Sequence, residues 1–226
     1  MIREIFDQEI YEKFYEPRVG DTVIDVGAHA GYFTLKAAQT VRANGLVVAV
    51  EPCPSNYALL KKNAGYVRSC RIIVAEVALK GEAGTTRLYL KDGTVGHSTI
   101  AKTNRSIEIQ AMTLDQLCQE LNVKHVDFIK INAEGAEHEI LLGAEKTLRV
   151  KGLKLAIQVH GDTVRNKVVE LLKKAGYNTI VRNRFVYASC MRAHSSVQCR
   201  IRVLAVQSSC GRVTRVRPQH VFHCCI

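Results

Sequence analysis

From Thr22 onward, short apolar runs alternate with amphipathic stretches along the chain. That is the pattern of βα units building a mostly parallel sheet with helices on both faces, a Rossmann-like α/β fold. The pattern predicts strands at Thr22–Val26, Leu46–Val50 and Arg71–Ala75, and at 127–131, 153–159 and 185–188. Helices are predicted over Tyr32–Val41, 56–63, 136–148 and 163–175, with Gly176 ending the last as a C-cap glycine. Residues 85–90 and 107–112 alternate with period two, which predicts antiparallel strands and a small inserted β element. Thr113-Leu114-Asp115-Gln116 has the spacing of a capping box opening a short helix through Leu121.

Charge divides the chain. All 21 acids lie at or before Glu170, while residues 171–226 hold two lysines, eight arginines and no acid. Ten of the eleven net positive charges therefore belong to the end, and the body is nearly neutral. Five of the eight cysteines, Cys190, Cys199, Cys210, Cys224 and Cys225, crowd the same end. The expected division is a domain over 1–188 and a basic, poorly ordered or artefactual tail over 189–226. Its Cys and His spacings miss those of zinc sites, so no metal is expected. No apolar run reaches the roughly 18 residues of a membrane span, and the N-terminus lacks the apolar core of a signal peptide. A cytoplasmic protein without a disulfide framework is the expectation.

Three segments carry candidate chemistry. In Val23-Ile24-Asp25-Val26-Gly27-Ala28-His29-Ala30-Gly31, a strand runs into a glycine turn and then a helix. Glycines there admit close approach of a ligand, and the helix start offers unpaired N–H groups. The acid before the turn would repel a pyrophosphate but suits a cationic amine, which favours S-adenosylmethionine over a dinucleotide. Glu51, with Pro52, ends the second strand twenty residues after Gly31, where a carboxylate accepts from ribose hydroxyls; the plainer reading is a solvated strand-end acid. In Lys130-Ile131-Asn132-Ala133-Glu134-Gly135-Ala136-Glu137, an apolar strand ends in polar residues. Asn132 and Glu134 are expected at the same crevice as Asp25 and Glu51. Lys130 needs a partner inside a buried strand, for which Glu134 or Glu137 is nearest in sequence. Alternatively, Asn132 caps the following helix while the two glutamates favour its positive end.

Taken in order, residues 25–33, Glu51-Pro52-Cys53-Pro54-Ser55-Asn56, Thr113-Leu114-Asp115, and residues 129–137 with Leu142-Gly143-Ala144 resemble the successive motifs of FkbM-type methyltransferases. The resemblance implies a class I methyltransferase fold, S-adenosyl-L-methionine as cofactor, and O-methylation of a hydroxyl on a sugar, glycolipid or natural product. It implies cofactor contacts at Asp25, Gly27, Ala28, His29, Gly31, Glu51 and Pro52, and a transfer site bordered by Lys130, Asn132 and Glu134. Glu134 and His160, the latter at the end of a strand, are the candidate bases, and His97 lies on a candidate substrate-covering loop. Two positions depart from the family pattern: His29 replaces an asparagine, and Asn132 replaces the aspartate of Lys-Ile-Asp-x-Glu-Gly. Asn132 cannot take a proton, so the rival expectation is a non-catalytic binder of the same cofactor. A nucleic-acid methyltransferase guided by the basic tail ranks below both, because the body is nearly neutral.

Overall fold

The computed structural model describes residues 2–93 and 96–190. The chain divides into units Met1–Ala193 and His194–Ile226, and the second unit lies outside the described residues, as do the tail cysteines and histidines beyond Cys190. A short helix, α1 (Ile2–Phe6), is followed by β1 (Thr22–Val26), α2 (Tyr32–Val41), β2 (Leu46–Val50), α3 (Pro54–Ala64) and β3 (Arg71–Ala75). Then come β4 (Ala78–Leu79), β5 (Gly84–Tyr89), β6 (Ser106–Met112), α4 (Leu114–Glu120), β7 (Phe128–Asn132) and α5 (Glu137–Leu142). The fold finishes with β8 (Lys154–Gln158), α6 (Asp162–Lys174), β9 (Tyr177–Arg182) and β10 (Phe185–Cys190).

Seven strands form one sheet in the order β3-β2-β1-β7-β8-β10-β9. The first five run parallel and β10 lies antiparallel between β8 and β9. Alternation along the central strands sends successive side chains to opposite faces. Ile24, Val26, Ile129, Ile131, Leu155 and Ile157 bury one face with Leu117, Ile140 and Val168 of the helices. Val23, Val47, Phe128 and Ala156 bury the other with Ile5 of α1 and Phe33, Ala37 and Val41 of α2. The result is the expected Rossmann-like arrangement, with helices on both faces. A separate three-stranded sheet, β4-β6-β5, forms the inserted β element.

Three differences from the sequence reading have physical causes. The helix expected over 136–148 stops at Leu142. At Gly143 the backbone lies so close to Lys80 that a Cβ would sit 2.2 Å from its carbonyl oxygen. Asp115 then accepts from the N–H groups of Lys146 and Thr147, which starts a separate 3-10 turn at Thr147–Arg149. Strand β9, absent from the prediction, forms because its register with β10 completes a hairpin. That hairpin carries β10 through Ser189 and Cys190, two residues past the boundary expected at 188. Among the described residues no helix is long and apolar enough to cross a membrane.

Candidate functional site

The carboxyl ends of β1, β2 and β7 converge on a cavity, at the edge of an open α/β sheet where ligands bind. Gly27, His29, Glu51, Pro52, Asn132 and Glu134 line it. His97 and Thr99, from the loop after β5, stand on its wall as well. That loop is pinned by Ser98, whose hydroxyl donates to the Glu134 carbonyl oxygen at 2.8 Å and accepts from the N–H groups of Ile100 and Ala101.

Glu51 is 6% exposed. Its two carboxylate oxygens accept from the backbone N–H of His29 at 2.8 Å and of Cys53 at 3.0 Å. Burial raises its pKa, and the two backbone N–H groups oppose that. The Asn56 side chain bonds the same carboxylate, so three of its roughly four lone-pair sites are taken. His29 thus contributes its main chain, and its φ of 54° belongs to the turn.

Asp25 does not face the cavity. It is fully buried, ion-paired to Lys130 at 2.8 Å, and accepts from the Thr34 hydroxyl at 2.6 Å. Lys130 therefore finds its partner in neither Glu134 nor Glu137: Asp25 and Lys130 are register neighbours on β1 and β7. The ammonium also donates to the carbonyl oxygens of Val26 at 3.2 Å and Gly27 at 2.8 Å. Burial acts against its charge, yet the Asp25 carboxylate holds its pKa above the ordinary lysine value. Lys130 is away from the cavity wall and braces the turn that forms it.

Ala28 and Gly31 also stand back from the wall. Ala28 is buried beside Ala49 and Leu60. Gly31 caps the start of α2 with a φ of 90°, which favours glycine, and a Cβ there would also press on Leu60 Cδ1 of α3 at 2.8 Å. Asn132 caps no helix: α5 starts at Ala136 without a side-chain cap. Fully buried Glu137 instead ties the segment, its Oε1 accepting from the N–H groups of Ala133 and Gly135.

The same Glu137 oxygen contacts His160 Nδ1 at 2.8 Å, and His160 Nε2 lies 3.6 Å from Glu134 Oε1. His160 thus borders the cavity through Glu134 without lining it. Burial lowers its pKa, but the hydrogen bond and charge of Glu137 and the charge of Glu134 outweigh that and raise it above 6.5. A histidine raised on folding adds stability that is fully present below its unfolded pKa and is lost as pH rises through the folded value. Glu137→Gln is expected to lower the His160 pKa. An NMR titration of the imidazole protons checks this, and an unmoved midpoint would disprove the coupling.

Sequence reasoning missed Tyr11, Thr99 and the clamp made by Ser98. Tyr11 lies in the N-terminal segment with no motif around it, and only its apolar neighbours Ile10 and Phe14 hinted at burial. Among the described residues no group of three or more His, Cys, Asp and Glu is arranged to hold a metal ion.

Comparison with known proteins agrees with this architecture. The profile of the methyltransferase FkbM domain matches residues 25–179. The chain is 26% identical to the 31-O-demethyl-FK506 methyltransferase FkbM of Streptomyces tacrolimicus, over 83% of this chain and 85% of that protein. It is 23% identical to Methyltransferase 1 of Beauveria bassiana, covering 77% and 73% of the two chains. In structure it resembles methyltransferase FkbM from Methylobacillus flagellatus KT, with a TM-score of 0.57 at 15% identity. That match covers 83% of this chain, which spans about half (47%) of the other. Fibrillarin from Aeropyrum pernix, solved with natively bound S-adenosyl-L-methionine, shares the fold at a TM-score of 0.52 and 14% identity, over 80% of this chain and 71% of that one. With the domain profile matched from the end of β1 to β9, this chain belongs to the FkbM family of methyltransferases.

Proposed function

We propose that the chain is an S-adenosylmethionine-dependent O-methyltransferase whose acceptor is a hydroxyl of a sugar, glycolipid or other natural product. The observation that carries the cofactor reading is Glu51, a buried carboxylate on the cavity wall held in place by the backbone N–H groups of His29 and Cys53 and by the Asn56 side chain. Such a group at the tip of the second strand suits a pair of ribose hydroxyls. The walls fit the rest of the cofactor: Val50, Val77, Leu79 and Ile140 are apolar. Asn132 Oδ1 and Thr99 Oγ1 are buried polar atoms with no hydrogen-bond partner among the described residues, on two residues of the wall. The O-methyl class rests on the relative from Streptomyces tacrolimicus, whose name places the missing methyl on an oxygen.

Bound in this cavity, S-adenosylmethionine supplies an electrophilic methyl group to an acceptor oxygen. The chain's own part is to orient and to move a proton. Glu51 and the Gly27–His29 turn hold the ligand, and alignment of reacting atoms at about 3 to 3.5 Å accounts for much of such a rate enhancement. Glu134, on the cavity wall, is the group that receives the hydroxyl proton, with His160 Nε2 behind it at 3.6 Å. Glu137 keeps the His160 ring in place through Nδ1.

Titration calorimetry of S-adenosylmethionine and S-adenosylhomocysteine tests the reading. Micromolar binding is expected for the native protein, with a loss of at least about tenfold in Glu51→Ala, the scale of one hydrogen bond to a charged group. Folded protein that binds neither compound would overturn the proposal.

A further inference from the structure

Tyr11 is 3% exposed and sits on the carboxyl ends of two adjacent strands. Its hydroxyl donates to Gln158 Oε1 at 3.0 Å and accepts from Asn132 Nδ2 at 3.3 Å. Asn132 and Gln158 are register partners on β7 and β8, so one phenol spans both strand ends. With Gln158 presenting its Oε1 to the phenol, the donor directions follow. An amide oxygen only accepts, so the phenol proton goes to Gln158, and the phenol oxygen is left to take the Asn132 N–H. Burial raises the Tyr11 pKa, against the opposing charge of Lys130, so the group stays a phenol with a proton to donate.

This arrangement chooses one of the two ways the Asn132 amide can face. Its nitrogen turns toward Tyr11, and Oδ1 is left buried with no partner among the described residues. A buried carbonyl without a donor is costly, and the cavity that Asn132 lines is where a donor can come from. A cationic donor is indicated because Asp25, the acid expected to serve a ligand amine, is instead occupied by Lys130 and Thr34. Lys130 in turn is neutralised by that pair.

We infer that Asn132 Oδ1 is the acceptor for the amino-acid ammonium of the cofactor, and that Tyr11 is a positioning residue that fixes the amide in the orientation to receive it. The substitution of aspartate by asparagine is then no lesion: the carbonyl does the work, and the N-terminal segment supplies the orientation. This rests on the S-adenosylmethionine reading.

Two probes separate the ammonium from the rest of the ligand. S-adenosylhomocysteine carries the amino-acid end, and 5′-methylthioadenosine lacks it. In calorimetry, Tyr11→Phe keeps the ring packing and is expected to weaken S-adenosylhomocysteine about tenfold, the scale of one charge-assisted hydrogen bond. It leaves 5′-methylthioadenosine within about twofold. Gln158→Leu, which removes the acceptor for the phenol proton, is expected to act in the same way. Aspartate presents an acceptor oxygen whichever way it turns, so in an Asn132→Asp background the Tyr11→Phe loss shrinks to under about threefold, a coupling that a merely structural role would not produce. Equal loss of both probes, no loss of either, or an undiminished loss beside Asn132→Asp overturns the inference. Native protein that binds neither probe overturns the cofactor reading and this inference with it, whereas native binding with unselective Tyr11→Phe overturns this inference alone.

Discussion

Lys130→Met is expected to destabilise the fold by about 3–5 kcal/mol, because it strands the Asp25 carboxylate in a fully buried position. For a domain of this size, that is a drop in melting temperature on the order of 10 °C. Thr34 still donates to Asp25, but one hydroxyl does not balance a buried charge. The carbonyl oxygens of Val26 and Gly27 lose their donor at the same time, so the turn lining the cavity loosens. The double variant Asp25→Leu/Lys130→Met should recover most of the lost stability, since apolar pairs of similar volume replace buried ion pairs at little cost. Urea denaturation at neutral pH measures both. A Lys130→Met midpoint equal to that of the native protein would show that the pair does not hold the strand ends together.

Gly27→Ala is the second large effect. A Cβ at this position would lie 1.9 Å from the Asn132 carbonyl oxygen and 2.9 Å from its carbonyl carbon. Neither atom can retreat without moving β7 against β1, to which it is hydrogen-bonded along the register Val23↔Phe128 to Val26↔Ile131. The residue also sits at a φ of 70°. Backbone strain of about 1–2 kcal/mol and a clash of about 1–3 kcal/mol together predict a loss of about 3 kcal/mol or more. Gly20→Ala isolates the first contribution: its φ is 90°, and nothing lies within 4 Å of the added carbon. Thermal melts of the two variants should therefore differ by several degrees, with Gly27→Ala the lower. Equal melting temperatures would mean that the strand ends yield, and that the glycine serves only the turn. Because Gly27 and Asn132 both line the cavity, ligand affinity should fall with stability in Gly27→Ala and stay intact in Gly20→Ala.

Much of this architecture is local in origin. Val23, Ile24 and Val26 before a glycine turn, or Val47–Val50 before Glu51, form strands because continuous β-branched runs suit positions buried on both faces. Thr113 and Gln116 form the predicted capping box reciprocally, since four consecutive residues contain every atom the motif needs. The placement of Glu51 and Asn132 on one cavity was legible for a related reason: parallel strands joined by right-handed crossovers bring their carboxyl ends to one edge. Residues at those ends meet whatever their separation in sequence.

Partner choice within that edge was not legible. Sequence neighbours made Glu134 or Glu137 the natural partner for Lys130, whereas the register of β1 beside β7 set Asp25 against it. The same is true of Tyr11, whose position on Asn132 and Gln158 depends on where the N-terminal segment docks across two strand ends. The stop at Gly143 likewise came from Lys80, on the distant segment after β4. The sequence by itself determined most of the elements, their order and the edge where ligand groups gather, because period and capping are written in neighbouring residues. Only the tertiary structure decided which buried polar groups pair, because hydrogen bonds and ion pairs form over a few ångströms, and those distances are set by strand register and docking.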